Sequence, residues 1–173
     1  MNSSNQNTNS TISPSPKKSK FMDGLICAHL DSIQCKGIIN LCNELVKLST
    51  VNYNGYSTYP ISSGMLLRSL IEQAFKYHLK KKGHWSILAN SKKVKDDPSL
   101  GIVLGYYRTH YKELITDTTM IRTFKILFEN DSTVKDILDL SIHHPHIVNI
   151  TKPQLDMFVD IGIVVFINYL LSD

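Results

Sequence analysis

Apolar residues recur at intervals of three and four along nearly the whole chain, and this constrains the fold more than any other feature. The spacing places hydrophobic side chains along one face of successive helices. Ile38, Leu41, Cys42, Leu45 and Leu48 form one such stripe, preceded by Ile26, Leu30 and Ile33, with Lys36 and Gly37 as a kink between them. "NYNG", residues 52 to 55, ends that arm. Pro60 suits the first turn of a second helix, in which Ile61, Met65, Leu66, Ser69, Leu70, Gln73 and Tyr77 or Leu79 keep the spacing as far as Gly83. The stretch from His84 to Asp97 is polar and lysine-rich and reads as a long connection, after which Asp97 and Pro98 read as cap and first turn of a helix over 98–115. "TDTTMIRTFKILFEN" supplies a short helix with Met120, Ile121, Phe124 and Leu127 or Phe128 on its face. Ser132 to His143 forms the next, capped by Asp131, Ser132 and Thr133. Thr151 and Gln154 are the two ends of a capping box that opens a final helix running to Leu171. The best candidate for a strand, "GIVLGYY", has no partner. The pattern predicts an all-α bundle of five or six helices.

A chain of 173 residues suffices for one hydrophobic core. Residues 1–20, "MNSSNQNTNSTISPSPKKSK", carry one large apolar side chain after the initiator, Ile12, and no aromatic, so they read as a disordered polar tail or linker before a single bundle over 21–173. Lys17, Lys18 and Lys20 of this tail supply three of the net four positive charges, which leaves the rest close to neutral and argues against a uniformly basic surface. Local basic character is concentrated in Lys76, Lys80, Lys81, Lys82, Lys92, Lys93 and Lys95, either a nucleic-acid contact or a solvated helix end and loop.

Cys27, Cys35 and Cys42 are odd in number and lack CxxC spacing, so neither a disulfide framework nor a zinc knuckle is expected. Their spacing would set them on one face of an unbroken helix as small core residues, which fits a reducing cytoplasm. The tail has no signal-peptide core, and the apolar run from Ile161 to Leu171 is about half the length of a membrane span, so no membrane association is expected.

GxxxxGK[ST], HExxH and GxSxG are all absent. The one stretch with suggestive chemistry is "LDLSIHHPH", residues 138 to 146. On a helix ending near Pro145, Lys135, Asp139 and His143 line up at i, i+4 and i+8, an arrangement in which Asp139 could orient His143 for proton transfer. The alternative is a solvent-facing pair with His143 at the helix end. Adjacent histidines on a helix point about 100° apart, so His143 and His144 share a metal poorly, and neither metal nor cofactor is expected. His144 and His146 are read as bystanders.

"LDLSIHHP" followed by "TKPQLDMFVDIGIVVFINYLL", with "YPISSGMLLRSLIEQAFKYHL" upstream, resembles the HEPN-like helical domains of bacteria over residues 55 to 171. The resemblance implies a four- or five-helix bundle that often dimerises around a polar cleft, as in toxin–antitoxin and antiphage defence systems. Active ribonucleases of that family carry Arg, a polar residue, three others and His, and cleave RNA without metal. Here His143 matches the His and Asp139 the polar position, but Leu138 stands where the Arg would be. Arg68 could replace that Arg only if the fold brings it beside His143. The implied function is a cytoplasmic, non-catalytic module for dimerisation or partner binding, in a homodimer or larger protein assembly, with RNA as a further contact. The second reading is a metal-independent endoribonuclease using His143 with Asp139, Arg68 and Lys135. The third is a DNA-linked role, as in plasmid maintenance, through Lys76 to Lys95.

Overall fold

The computed structural model describes residues 21–50, 55–92, 97–129, 133–143 and 149–172. These form nine helices and no strand: α1 Lys36–Ser49, α2 Gly55–Thr58, α3 Pro60–Lys81, α4 Trp85–Lys92, α5 Leu100–Leu114, α6 Thr118–Phe128, α7 Thr133–His143, α8 Lys152–Asp160 and α9 Ile163–Ser172. The all-α expectation holds. The expected tail over residues 1–20 and the cap residues Asp131 and Ser132 lie outside the described residues.

α3 is the central strut and packs against α1, α2, α4, α5, α7, α8 and α9. Pro60 occupies its first turn, where a missing N–H removes nothing from the helix. Its end is a Schellman motif: Gly83, at φ +74°, donates its N–H to the Lys80 carbonyl, and the His84 N–H reaches the Leu79 carbonyl. Only glycine enters this left-handed conformation without cost. Leu67, Leu70, Ile71, Ala74, Phe75 and Leu79 put the inner faces of α3 into the core.

At the centre, Phe75 meets Tyr107 of α5 and Phe128 of α6 edge-on, at 4.6 and 5.1 Å between ring centroids, and the tilted ring of Phe166 of α9 at 5.8 Å. Edge-to-face packing suits the quadrupoles of these rings, and the cluster fixes four helices against one another. Beside it, the fully buried His78 shares a 2.6 Å hydrogen bond between its Nδ1 and the Tyr107 hydroxyl, satisfying both polar groups inside the core. Arg108 ties α5 to the end of α6 by donating from Nε and Nη2 to the Phe128 carbonyl, at 3.1 and 2.8 Å. Asp117 caps α6, its carboxylate accepting from the N–H groups of Thr119 and Met120.

Four features depart from the periodic reading. Residues 21–35, ahead of α1, do not form a helix. Asp31 accepts from the N–H groups of Ile33 and Gln34, a local turn that competes with helix, and leaves Ile26 and Ile33 exposed. The segment is held from far along the chain. The Asn168 side chain accepts from Ile26 N–H and donates to the Gly24 carbonyl, and His29 Nε2 bonds the Leu171 carbonyl.

This turning course brings Cys27 to Cys42, and the two form a disulfide with Cα atoms 6.6 Å apart; Cys35 is buried and free. The expectation of three unlinked core cysteines on one helix face therefore fails, because that face does not exist before Lys36. The cysteine argument for a reducing cytoplasm goes with it.

The expected connection from 84 to 97 contains α4, and Asp97 does not cap α5; Ser99 is the residue before its first turn, while Asp97 pairs elsewhere. The final helix is two: after α8, opened by the expected Thr151 and Gln154 capping box, Gly162 at φ +97° breaks the chain before α9. Among the described residues no single helix is long and apolar enough to cross a membrane; α8 and α9 together would be, but they are bent by 57° at the break. Most of the apolar residues of α9, among them Ile163, Phe166, Ile167, Leu170 and Leu171, are buried in the bundle, while Val165 is exposed.

Candidate functional site

Helical spacing places Arg68, Glu72 and Lys76 one turn apart on a single ridge of α3, where side chains four residues apart meet. The fold adds a carboxylate at each end. Arg68 Nη1 lies 3.2 Å from Glu72 Oε2, and Arg68 Nε lies 3.4 Å from Asp139 Oδ1 on α7. Glu72 Oε1 accepts from Lys76 Nζ at 2.7 Å, and the same ammonium reaches Asp97 Oδ2 in the turn before α5. The result is an alternating chain, Asp139, Arg68, Glu72, Lys76, Asp97, that ties α3 to α7 and to the α4–α5 connection.

Burial raises the weight of these contacts. The Lys76 side chain is 5% exposed and that of Arg68 13%, whereas Asp97 is 65% exposed at the open end. Burial pushes the Lys76 ammonium down, but its hydrogen bonds to Asp97 and Glu72 and the charge of both carboxylates outweigh this and hold it above the usual lysine range. The set contains three carboxylates and two cations.

Of the sequence-derived site residues, Arg68 and Asp139 are brought into contact. His143 ends α7 one turn beyond Asp139, but its side chain, like those of Lys135 and Lys92, lies outside the described residues, as do Lys93, Lys95, His144 and His146 altogether. Lys76 separates from the lysine group: it is a buried, doubly paired cation facing carboxylates. Lys80 and Lys81 are exposed, Lys80 with its ammonium 4.7 Å over the Trp85 ring and Lys81 donating to the Ser172 carbonyl at 3.2 Å, and Lys82 is half-buried. Two paired residues escaped the sequence reading, Asp97 as the partner of Lys76 and His78 in the core. His78 was legible in principle, since it falls four residues after Ala74 and three after Phe75 in the apolar register of α3.

A second polar cluster joins α5 to the end of α3. The Tyr106 hydroxyl and His84 Nδ1 lie 2.8 Å apart, and the His110 ring stacks on Tyr106 with centroids 4.1 Å apart. Burial, helped by the charge of Glu113, pushes the Tyr106 phenol up. Among the described residues no group of three or more His, Cys, Asp or Glu is placed to hold a metal ion. Comparisons with protein-family models, with curated proteins and with solved structures return no match to this chain.

Proposed function

We propose that the chain is a non-catalytic, HEPN-like helical module that assembles with itself or with a protein partner, in a bacterial defence or toxin–antitoxin setting. The observation that carries the non-catalytic reading is the double engagement of Arg68 by Asp139 and Glu72. A metal-independent ribonuclease needs uncompensated positive charge at the phosphorane. Here the guanidinium that would replace the missing motif Arg is already neutralised, and the ridge around it has more carboxylates than cations. An assembly role is supported by Tyr59, Ile61 and Met65, exposed apolar side chains at the start of α3, the last two one turn apart on one face.

The endoribonuclease reading keeps one specific observation in its favour: Arg68 does reach α7, the helix that carries His143. Incubation of RNA with the protein in EDTA separates the two, alongside His143→Ala and Arg68→Ala variants matched for fold by circular dichroism. The module reading expects no cleavage at high protein concentration, and a light-scattering mass above the monomer that falls on Met65→Glu. Cleavage lost in both alanine variants would establish the enzyme instead.

A further inference from the structure

On the side of α3 facing α1, an open groove of about 840 Å³ runs between the two helices. That volume falls in the range of small-molecule sites, about 300–1,000 Å³. Its α1 wall is apolar, built from Cys35, Ile38 and Leu41, and Tyr77 faces them from α3. Gln34 and Gln73 add neutral amide donors.

The charge of the groove has one sign. Lys76, Lys80 and Lys81 contribute to its lining, and no Asp or Glu does among the described residues. Lys76 directs its ammonium to Glu72 and Asp97, so its stem, not a free charge, faces the groove. Lys80 and Lys81 differ: both are exposed, and they contact only neutral groups among the described residues, the Trp85 ring and the Ser172 carbonyl. Two long cationic side chains therefore stand at the rim of this trough, and none of its described lining residues is an Asp or Glu.

We infer that the groove between α1 and α3 binds a small amphipathic anion, its apolar body lying against Ile38, Leu41 and Tyr77 and its carboxylate or phosphate head held by Lys80 and Lys81. Binding would draw Lys80 away from Trp85, the sole tryptophan of the chain, which makes its fluorescence a reporter of occupancy.

Isothermal calorimetry with decanoate, decyl phosphate, decan-1-ol and decyltrimethylammonium tests this on the full chain, with Trp85 fluorescence followed in parallel. The expected result is saturable one-to-one binding of at least one anion together with a fluorescence change. The alcohol and the cation should bind about tenfold more weakly or worse, one charge-assisted contact being sufficient for that ratio. The variant Lys80→Gln/Lys81→Gln should weaken the anion by about tenfold or more while keeping the helical spectrum. Leu41→Glu, which puts a carboxylate on the apolar wall, should abolish binding. The inference is overturned if neither anion saturates at low millimolar concentration, if the alcohol binds as well as the anions, or if the double variant binds as wild type does. The ratio of decanoate to decyl phosphate affinity then separates a carboxylate ligand from a phosphate one.

Discussion

Arg68 and Asp139, 71 residues apart in sequence, meet at 3.4 Å between Nε and Oδ1 and so join the central helix α3 to α7. Because Glu72 takes the other side of the same guanidinium, truncating Arg68 removes a cation from two partly buried carboxylates at once, while neutralising Asp139 leaves Arg68 its pair with Glu72. Arg68→Met should therefore lower the unfolding free energy by about 1–3 kcal/mol and Asp139→Asn by less. A double-mutant cycle in urea should return a coupling of about 0.5–1.5 kcal/mol. Additive effects would mean that the contact contributes nothing in solution.

Lys76 sets an alkaline limit on stability. Its folded value lies above the ordinary 10.5, so its contribution is complete below that pH and is lost as pH rises through the folded value. Tyr106 acts in the same direction, since burial keeps the folded phenol neutral while the unfolded one ionises from its ordinary 10.0. Unfolding free energies should stay level through neutral pH on account of these groups and decline above pH 10. Lys76→Met should cost about 1–3 kcal/mol at pH 7 and make the alkaline decline shallower. An unchanged slope in that variant would remove Lys76 from the account.

What the sequence disclosed and what it hid follow from the range of the interactions involved. α3 was legible from Pro60 to Gly83 because its start, stop and apolar register are all local, and so was the Arg68–Glu72 pair at i,i+4. The turns before α1 were hidden because they depend on Asn168 and Leu171, more than 140 residues away, which no window of periodicity samples. α4 was hidden for a different reason: "WSILANSK" has too few apolar residues for a stripe, and buries Leu88 in the core while Ile87 stays exposed. Lys76 reads as one of a local basic group because its second partner, Asp97, arrives only after α4 has turned the chain back. In the site, the local Arg68–Glu72 pair is readable, whereas the partners that other elements bring, Asp139 to Arg68 and Asp97 to Lys76, are not.

The Cys27–Cys42 bond closes a loop of sequence separation 15 and clamps the non-helical segment onto α1. Under denaturing, non-reducing conditions, thiol titration should find one reactive cysteine of the three, and three after reduction. Cys27→Ser/Cys42→Ser should lower stability by about 2–4 kcal/mol, the range for closing a loop of that size. Hydrogen exchange should show the loss first in residues 21–35. Three reactive thiols without reductant would contradict the pairing.

Gly64 marks a close approach between the first turns of α3 and the segment before α8. A Cβ built there would stand 2.3 Å from Ile150 Cδ1, in a site where both residues are buried. Gly64→Ala would normally favour a helix interior by about 1 kcal/mol. Here overpacking should reverse the sign, for a net loss of about 1–3 kcal/mol. The offending atom identifies the rescue, because Ile150→Val removes Cδ1 and little else. Alone, that change should cost about 0.5–1.5 kcal/mol. Combined with Gly64→Ala it should recover most of the loss, so that the double variant is more stable than Gly64→Ala alone. Chemical denaturation of the four proteins measures the effect, and a double variant less stable than either single one would show that α3 does not meet Ile150 at this point.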